Sequence, residues 1–164
     1  MADRYEELAK RNLLDELIAL RDRQRELKKK EIKLVKGEKL PWEKNKLGRI
    51  RWYLHPALDD TAIRSLILFV QEIPPGGRTG RFKFQGGQSI YIWEGKGYSI
   101  IDGVKHTWQE GDVVNLPMRR DGVIVQHFND DASRRVRFVA CELNLADCLG
   151  VDRGCGFEII EEAS

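Results

Sequence analysis

From residue 61 onward, the sequence is a succession of short apolar segments separated by turn residues. TAIRSLILFVQEI at 61–73 is rich in β-branched residues and ends at a Pro-Pro-Gly-Gly turn, and SIYIWEG at 89–95 follows two glycines. GYSIIDGVKHTW at 97–108 contains Asp102-Gly103, the preferred dipeptide of a two-residue hairpin turn. Short strands at this spacing are typical of a β-sandwich or β-barrel. The sequence therefore predicts an all-β fold for this part of the chain.

The N-terminal region follows a different pattern. Residues 2–35 contain no glycine or proline and predict one long α-helix. Its apolar stripe follows alternating four- and three-residue steps, with one polar interruption, and consists of Leu13, Leu17, Leu20, Gln24 and Leu27. A single helix cannot bury such a stripe by itself, so we expect it to pack on the β domain or on a partner helix.

Residues that break helices suggest that the chain consists of two structural units. Gly37 and Pro41 mark residues 37–50 as a connecting arm. The predicted organisation is therefore an N-terminal helix with its arm at 1–50 and a β-barrel domain at 51–164.

The composition is that of an ordinary globular protein, with 33% charged and 41% hydrophobic residues. Residues 1–46 contain fourteen basic and ten acidic side chains, a net charge of +4, which leaves −2 for the remainder. The run RDRQRELKKKEIK suggests nucleic-acid binding, but its charges are mixed and no aromatic residues interleave with them. We expect no nucleic-acid partner, and no membrane partner either, because no apolar run has membrane-spanning length.

Cysteine usage indicates the compartment. The three cysteines, Cys141, Cys148 and Cys155, lack the CxxC spacing of a zinc site. The N-terminal sequence MADRYEELAK has no apolar stretch of the signal-peptide type. We therefore expect reduced thiols and a cytoplasmic location. The spacing of Cys148 and Cys155 also permits a disulfide between them.

Two further segments resemble the signature motifs of the cupin superfamily. They are PPGGRTGRFKFQGGQSIYIWEGKG at 74–97 and GDVVNLPMRRDGVIVQHFN at 111–129, and the resemblance covers about residues 66–143. It implies a cupin-type β-barrel, a jelly-roll-like double-stranded β-helix, preceded here by the long N-terminal α-helix. Because cupins commonly associate through their barrel faces, the resemblance also implies a homodimer.

In that family the two motifs supply a metal site, with His-x-His and a Glu from the first and a His from the second. Counting back from Gly95 and Asn129 identifies the corresponding residues of this chain. With a three-residue spacer in the first motif they are Phe82, Phe84, Gln88 and Val125.

A four-residue spacer would instead place Arg81 and Lys83 at the two His positions. We prefer the three-residue spacer, because a barrel interior accommodates two phenyl rings more readily than two unpaired cations. Neither alignment supplies the imidazole and carboxylate donors that a transition metal needs. We therefore expect no metal cofactor, with one alternative, a divalent transition metal held through Gln88 and His127.

The inward positions of the motif strands define a predicted ligand pocket, consisting of Phe82, Phe84, Gln88, Val125 and His127. The rings favour a small apolar or aromatic molecule, and Gln88 and His127 would orient its polar end. His127 is two residues beyond Val125 and faces the same way, although such a histidine is more often a hydrogen-bonded structural residue. A buried Gln88 needs a partner, which is either His127 or the ligand.

Two classes of function remain open from the sequence. The first is a metal-free cupin that binds a small molecule without catalysis. The second is an enzyme, either a metal-free isomerase that uses His127 as its general acid and base or a dioxygenase-like metalloenzyme with an unusual ligand set.

The segment 89–95 also bears on assembly, because it is apolar on both faces. Tyr91 and Trp93 alternate with inward-facing isoleucines, so their outer face must meet the arm, the helix or a second subunit.

Overall fold

The computed structural model describes residues 3–145 and 158–163. Its regular elements, in chain order, are α1 Arg4–Leu8, α2 Leu13–Lys28, a 3-10 turn Gly37–Lys39, β1 Glu43–Asn45, β2 Gly48–Leu54, β3 Leu66–Ile73, β4 Arg81–Phe84, β5 Gln88–Glu94, β6 Lys96–Ile101, β7 Val104–Gln109, β8 Val113–Leu116, β9 Val123–Asn129, β10 Val136–Leu143 and β11 Glu158–Glu161.

These strands form two antiparallel sheets that face each other. One sheet has the order β1-β2-β3-β10-β5-β8, and the other has the order β11-β4-β9-β6-β7. Apolar side chains from both sheets meet between them, and Ile50, Ile90, Val125 and Phe138 are among those with 1% exposure or less. The predicted all-β barrel is confirmed.

The predicted hairpin at 97–108 is also confirmed. Strands β6 and β7 pair from Lys96 with Gln109 to Ile101 with Val104, and Asp102 and Gly103 form the turn. Both turn residues have positive φ, 49° and 85°, as a two-residue hairpin turn with matching twist requires.

The N-terminal helix is shorter than the sequence predicts. Instead of one helix over 2–35, the chain forms the five-residue α1 and the sixteen-residue α2. Asn12 ends the continuity because it adopts an extended backbone, and its side chain accepts the N–H of Asp15. This contact is an N-cap, so the chain begins a new helix where the pattern of apolar residues alone indicates continuation.

The connecting arm contributes strands to the barrel. Strand β1 and the first residues of β2 lie within 37–50, and β2 pairs with β3 from Arg49 to Leu54. Next to them, Trp42 lies under the guanidinium groups of Arg51 and Arg49, at 4.3 and 4.6 Å from its ring centre. The arm therefore covers the outer face of the larger sheet on its β2 side.

The outer face at the other edge of this sheet is open within one chain. On β5, Tyr91 and Trp93 are 47% and 51% exposed, and Val113 on β8, opposite Tyr91, is also exposed. Neither the arm nor α2 covers this apolar surface.

Two further findings concern the sequence expectations. Among the described residues, no helix is long and apolar enough to cross a membrane. Cys141 is a free, partly buried thiol, whereas Cys148 and Cys155 lie outside the described residues.

Candidate functional site

The two phenylalanines of the first motif point into the barrel. Phe82 and Phe84 are 4% and 5% exposed, and their ring centres lie 5.4 Å apart at an interplanar angle of 52°. Arg81, on the opposite face of β4, is exposed. The alternation of β4 thus places the rings inside and the cations outside, as expected for the three-residue spacer.

Val125 occupies the corresponding position of the second motif. It is fully buried on β9, where it pairs with Phe82 of β4 on one side and Ile101 of β6 on the other. The chain therefore presents three hydrocarbon side chains where the resemblance implies imidazoles.

Gln88 is the polar member of this set. Its hydrogen-bond partner is neither His127 nor a ligand, the two partners that the sequence suggested. Its side-chain Nε2 donates a hydrogen bond of 2.6 Å to Oε2 of Glu142. The two residues face each other across the pairing of β5 with β10, and both are buried. Since only residues 85–87 separate β4 from β5, Phe84 and the pair of Gln88 and Glu142 lie at the same end of the barrel.

Glu142 is a residue that the sequence analysis missed. It belongs to a strand in which residues 136, 138, 140 and 142 are buried and their neighbours are not. The same two-residue periodicity, applied to RRVRFVACELN, would have indicated a carboxyl group inside the barrel. The hydrogen bond between Glu142 and Gln88 could not be predicted from a local pattern, because the two residues are 54 positions apart.

Burial controls the chemistry of this carboxyl. It raises the pKa of Glu142 to about 7, because the ionised form loses its hydration, and the hydrogen bond from Gln88 only partly opposes this effect. No ion pair to Glu142 is seen among residues 3–145 and 158–163. Near neutral pH the group therefore exists in both protonation states, able to donate or to accept a proton at Oε1 or Oε2.

His127 is held in a separate hydrogen-bonded chain. Trp108 Nε1 donates to Ser99 Oγ at 2.8 Å, and Ser99 Oγ lies 2.7 Å from His127 Nδ1. Because an indole N–H can only donate, Ser99 accepts from Trp108, and the direction of its bond with Nδ1 is set by the histidine tautomer. The indole reaches Ser99 because it packs on Gly97, where a Cβ atom would lie 2.6 Å from the ring.

This environment favours a neutral histidine. Burial lowers the pKa of His127 to about 4, and the backbone N–H of His127 is also bonded, to Thr79 Oγ1 at 3.0 Å. The arrangement matches the structural interpretation of His127 and gives its ring a fixed orientation beside Phe138, 5.2 Å between ring centres.

These residues do not fit a transition metal. Phe82, Phe84 and Val125 carry no donor atom, the amide of Gln88 bonds to Glu142, and His127 Nδ1 bonds to Ser99. Within the described part of the chain, no group of three or more His, Cys, Asp or Glu side chains is placed to hold a metal ion. The end of the barrel where Phe84, Gln88 and Glu142 meet is instead an apolar wall with one hydrogen-bonded polar pair.

Comparison with known proteins places the fold. No model of a protein family matches the sequence, and no curated protein is similar to it in sequence. Solved structures do match. The polyketide cyclase RemF from Streptomyces resistomycificus superposes with a TM-score of 0.60 at 14% identity, over 79% of this chain and 85% of its own.

Two further neighbours are described as cupins. A Cupin 2 conserved barrel domain protein from Salinispora arenicola has a TM-score of 0.52 and 22% identity, over 75% of this chain and 93% of that one. A cupin-like protein from Thermotoga maritima has a TM-score of 0.53 and 18% identity, over 73% and 87%. Together with the strand order and the motif positions, these similarities show that the chain has the fold of the cupin superfamily.

Proposed function

We propose that the protein binds a small, largely apolar or aromatic molecule inside its cupin barrel without a metal ion. The site would consist of the predicted residues, Phe82, Phe84, Gln88, Val125 and His127, with the addition of Glu142. The observation that carries the proposal is the hydrogen bond between Gln88 and Glu142, a buried polar pair at the barrel end that is otherwise lined by Phe84 and Leu116. Sites for small molecules combine apolar walls with a few polar groups in this way.

Each residue has a distinct part in this proposal. The rings of Phe82 and Phe84 contact the apolar body of the ligand, while Gln88 and Glu142 orient its polar end. His127 contributes a fixed wall rather than a mobile contact, because Ser99 holds its ring. Since Phe84 is buried in the core, binding requires its ring to change rotamer and expose the polar pair.

The test is a titration of the isotope-labelled protein with a panel of small aromatic and aliphatic molecules, followed by NMR. A ligand should shift the signals of Phe84, Gln88 and Glu142, and its affinity should fall when Gln88 is changed to Leu. The exposed substitution Lys105→Ala, on β7, is the control and should leave affinity unchanged. Shifts confined to the outer surface, or no shift with any member of the panel, contradict the proposal.

A second candidate, an acid–base enzyme without metal, is favoured by the burial of the Glu142 carboxyl inside the barrel. The pKa of Glu142 is raised to about 7, so this carboxyl can give and take a proton near neutrality, whereas the pKa of His127 is lowered to about 4. We therefore assign the general acid–base role in this candidate to Glu142 instead of His127.

Solvent exchange separates the two candidates. A bound molecule with an acidic C–H group should exchange that hydrogen for deuterium in heavy water if Glu142 abstracts it, and Glu142→Gln should abolish the exchange while keeping the ligand bound. Binding without exchange supports the first candidate alone.

A further inference from the structure

Helix α2 presents its apolar stripe to solvent instead of burying it on its own barrel. None of its residues is buried, and Leu13, Leu14, Leu17 and Leu20 are each more than half exposed. Its C-terminal end approaches the barrel, where Leu27 lines a cavity of about 290 Å³ with the loop at 59–65. The rest of the helix therefore carries an exposed apolar face with no partner among residues 3–145 and 158–163, a feature that marks an interaction site.

The spacing of this face is that of a helix-pairing seam. The steps from Leu13 to Leu17, Leu20, Gln24 and Leu27 alternate between four and three residues, the heptad pattern of paired helices. Leu17, Ile18 and Leu20 form the apolar part of this exposed surface, next to Arg21, Gln24, Arg25 and Lys28. The heptad pattern fits another helix.

The charge of α2 identifies which helix fits. Residues 13–20 contain two acidic and no basic side chains, a charge of −2. Residues 21–28 contain four basic and two acidic side chains, a charge of +2. A second copy laid antiparallel places residues 13–16, with a charge of −2, opposite residues 21–24, with a charge of +1. A parallel copy places like charges together.

We propose that α2 pairs in antiparallel orientation with α2 of a second copy of this chain. In the heptad alignment Leu17 packs beside Leu20 of the second copy, and the contact is repeated by two-fold symmetry. Glu16 then flanks Arg23 of the second copy, again twice. The antiparallel dipoles of the two helices add to the attraction at both ends.

The expected strength of this pairing follows from its length. In this alignment residues 13–24 of the two helices overlap, fewer than two heptads, so the interface lies at the small end of the range for specific protein contacts. The dimer should therefore depend on protein concentration, and its ion pairs should make it weaker in high salt.

The apolar seam is tested by analytical ultracentrifugation of the full chain across a concentration series. Leu17→Glu should raise the dissociation constant by roughly tenfold or more. Ala19→Glu introduces the same charge on the opposite side of the helix and is the matched control. Because α2 contains no fully buried residue and positions 17 and 19 are exposed, neither variant should change the thermal unfolding of the barrel.

The orientation is tested by exchanging charges. Glu16→Arg and Arg23→Glu should each weaken the dimer, and the two together should restore it, since each arginine again meets a glutamate. Glu16 also pairs with Arg11 within the chain at exposed positions, so Arg11→Ala controls for the loss of that contact and should leave the dimer intact.

Three outcomes overturn the proposal. They are a full chain that stays monomeric throughout the series, a dimer that survives Leu17→Glu, and a charge-exchanged double variant that stays weak. A dimer that is lost on Trp93→Glu but not on Leu17→Glu would instead assign the contact to the outer face of β5.

Discussion

Phe84 illustrates what a single residue of the motif does for the barrel. Its orientation followed from the two-residue periodicity of RFKF, because only one face of a half-buried strand can hold two phenyl rings. The partner of Gln88 could not be derived in this way, since Glu142 reaches it only after β10 has paired with β5. Side-chain direction is thus local information, whereas pairing between distant strands is not.

Replacing Phe84 by Ala should destabilise the protein by about 3–5 kcal/mol, because the substitution leaves a cavity among well-packed core residues. Chemical denaturation measures the change in the free energy of unfolding. Arg81→Ala, on the exposed face of the same strand, should stay within about 0.5 kcal/mol. A loss below about 1 kcal/mol for Phe84→Ala would show that the ring is not part of the core.

Glu142 should make stability depend on pH. Its pKa is raised from 4.5 in the unfolded chain to about 7 in the folded protein, so the folded state holds a proton that the unfolded state has released. The contribution of Glu142 to the free energy of unfolding is therefore complete below about pH 4.5 and is lost as the pH rises through about 7. The total loss is about 3 kcal/mol.

The measurement is the free energy of unfolding of the wild type and of Glu142→Gln at several pH values. The amide of the variant still accepts the hydrogen bond from Gln88 but carries no titrating proton, so the difference between the proteins should grow in favour of the variant above pH 4.5. The exposed substitution Glu110→Gln should follow the wild type. Parallel curves for Glu142→Gln and the wild type would contradict the assigned burial effect.

At the scale of elements, the strands and turns of the barrel could be predicted from the sequence. The division of the N-terminal helix into α1 and α2 could not. The Asp102-Gly103 turn fixes the β6–β7 hairpin through local backbone preference alone. The break between α1 and α2 depends on the cap at Asn12, a competition between a side chain and helix propagation that apolar periodicity does not register. Pairing of β1 with β2 likewise depended on the rest of the sheet, because three residues form no stable strand alone.

Deleting residues 1–30 should leave the barrel as stable as the full chain, because α2 contributes no buried residue. Deleting residues 158–164 should destabilise it, since β11 pairs with β4, the strand that carries both motif phenylalanines. Thermal unfolding followed by circular dichroism at low protein concentration compares the two truncations. A large loss of stability on removal of 1–30 would show that the helix packs on the barrel.

For the whole molecule, the fold and the motif positions together predict a barrel without a tightly bound transition metal. Elemental analysis of purified protein should find iron, nickel, manganese and zinc far below one ion per chain after treatment with a chelator. Phe84→His restores one donor position out of four, so it should not create a strong site either. Near-stoichiometric metal, with His127 among its ligands, would contradict the prediction.

The pairing of β11 with β4 also has a consequence for the order in which the protein acquires its structure. Glu158, Ile159 and Glu161 pair with Lys83, Phe82 and Arg81, so the backbone edge of β4 is covered by a strand that comes after all the other described strands. During synthesis β4 can pair with β9 well before β11 leaves the ribosome. The nascent barrel then carries an open strand edge, the kind of surface that chaperones recognise and that aggregation exploits.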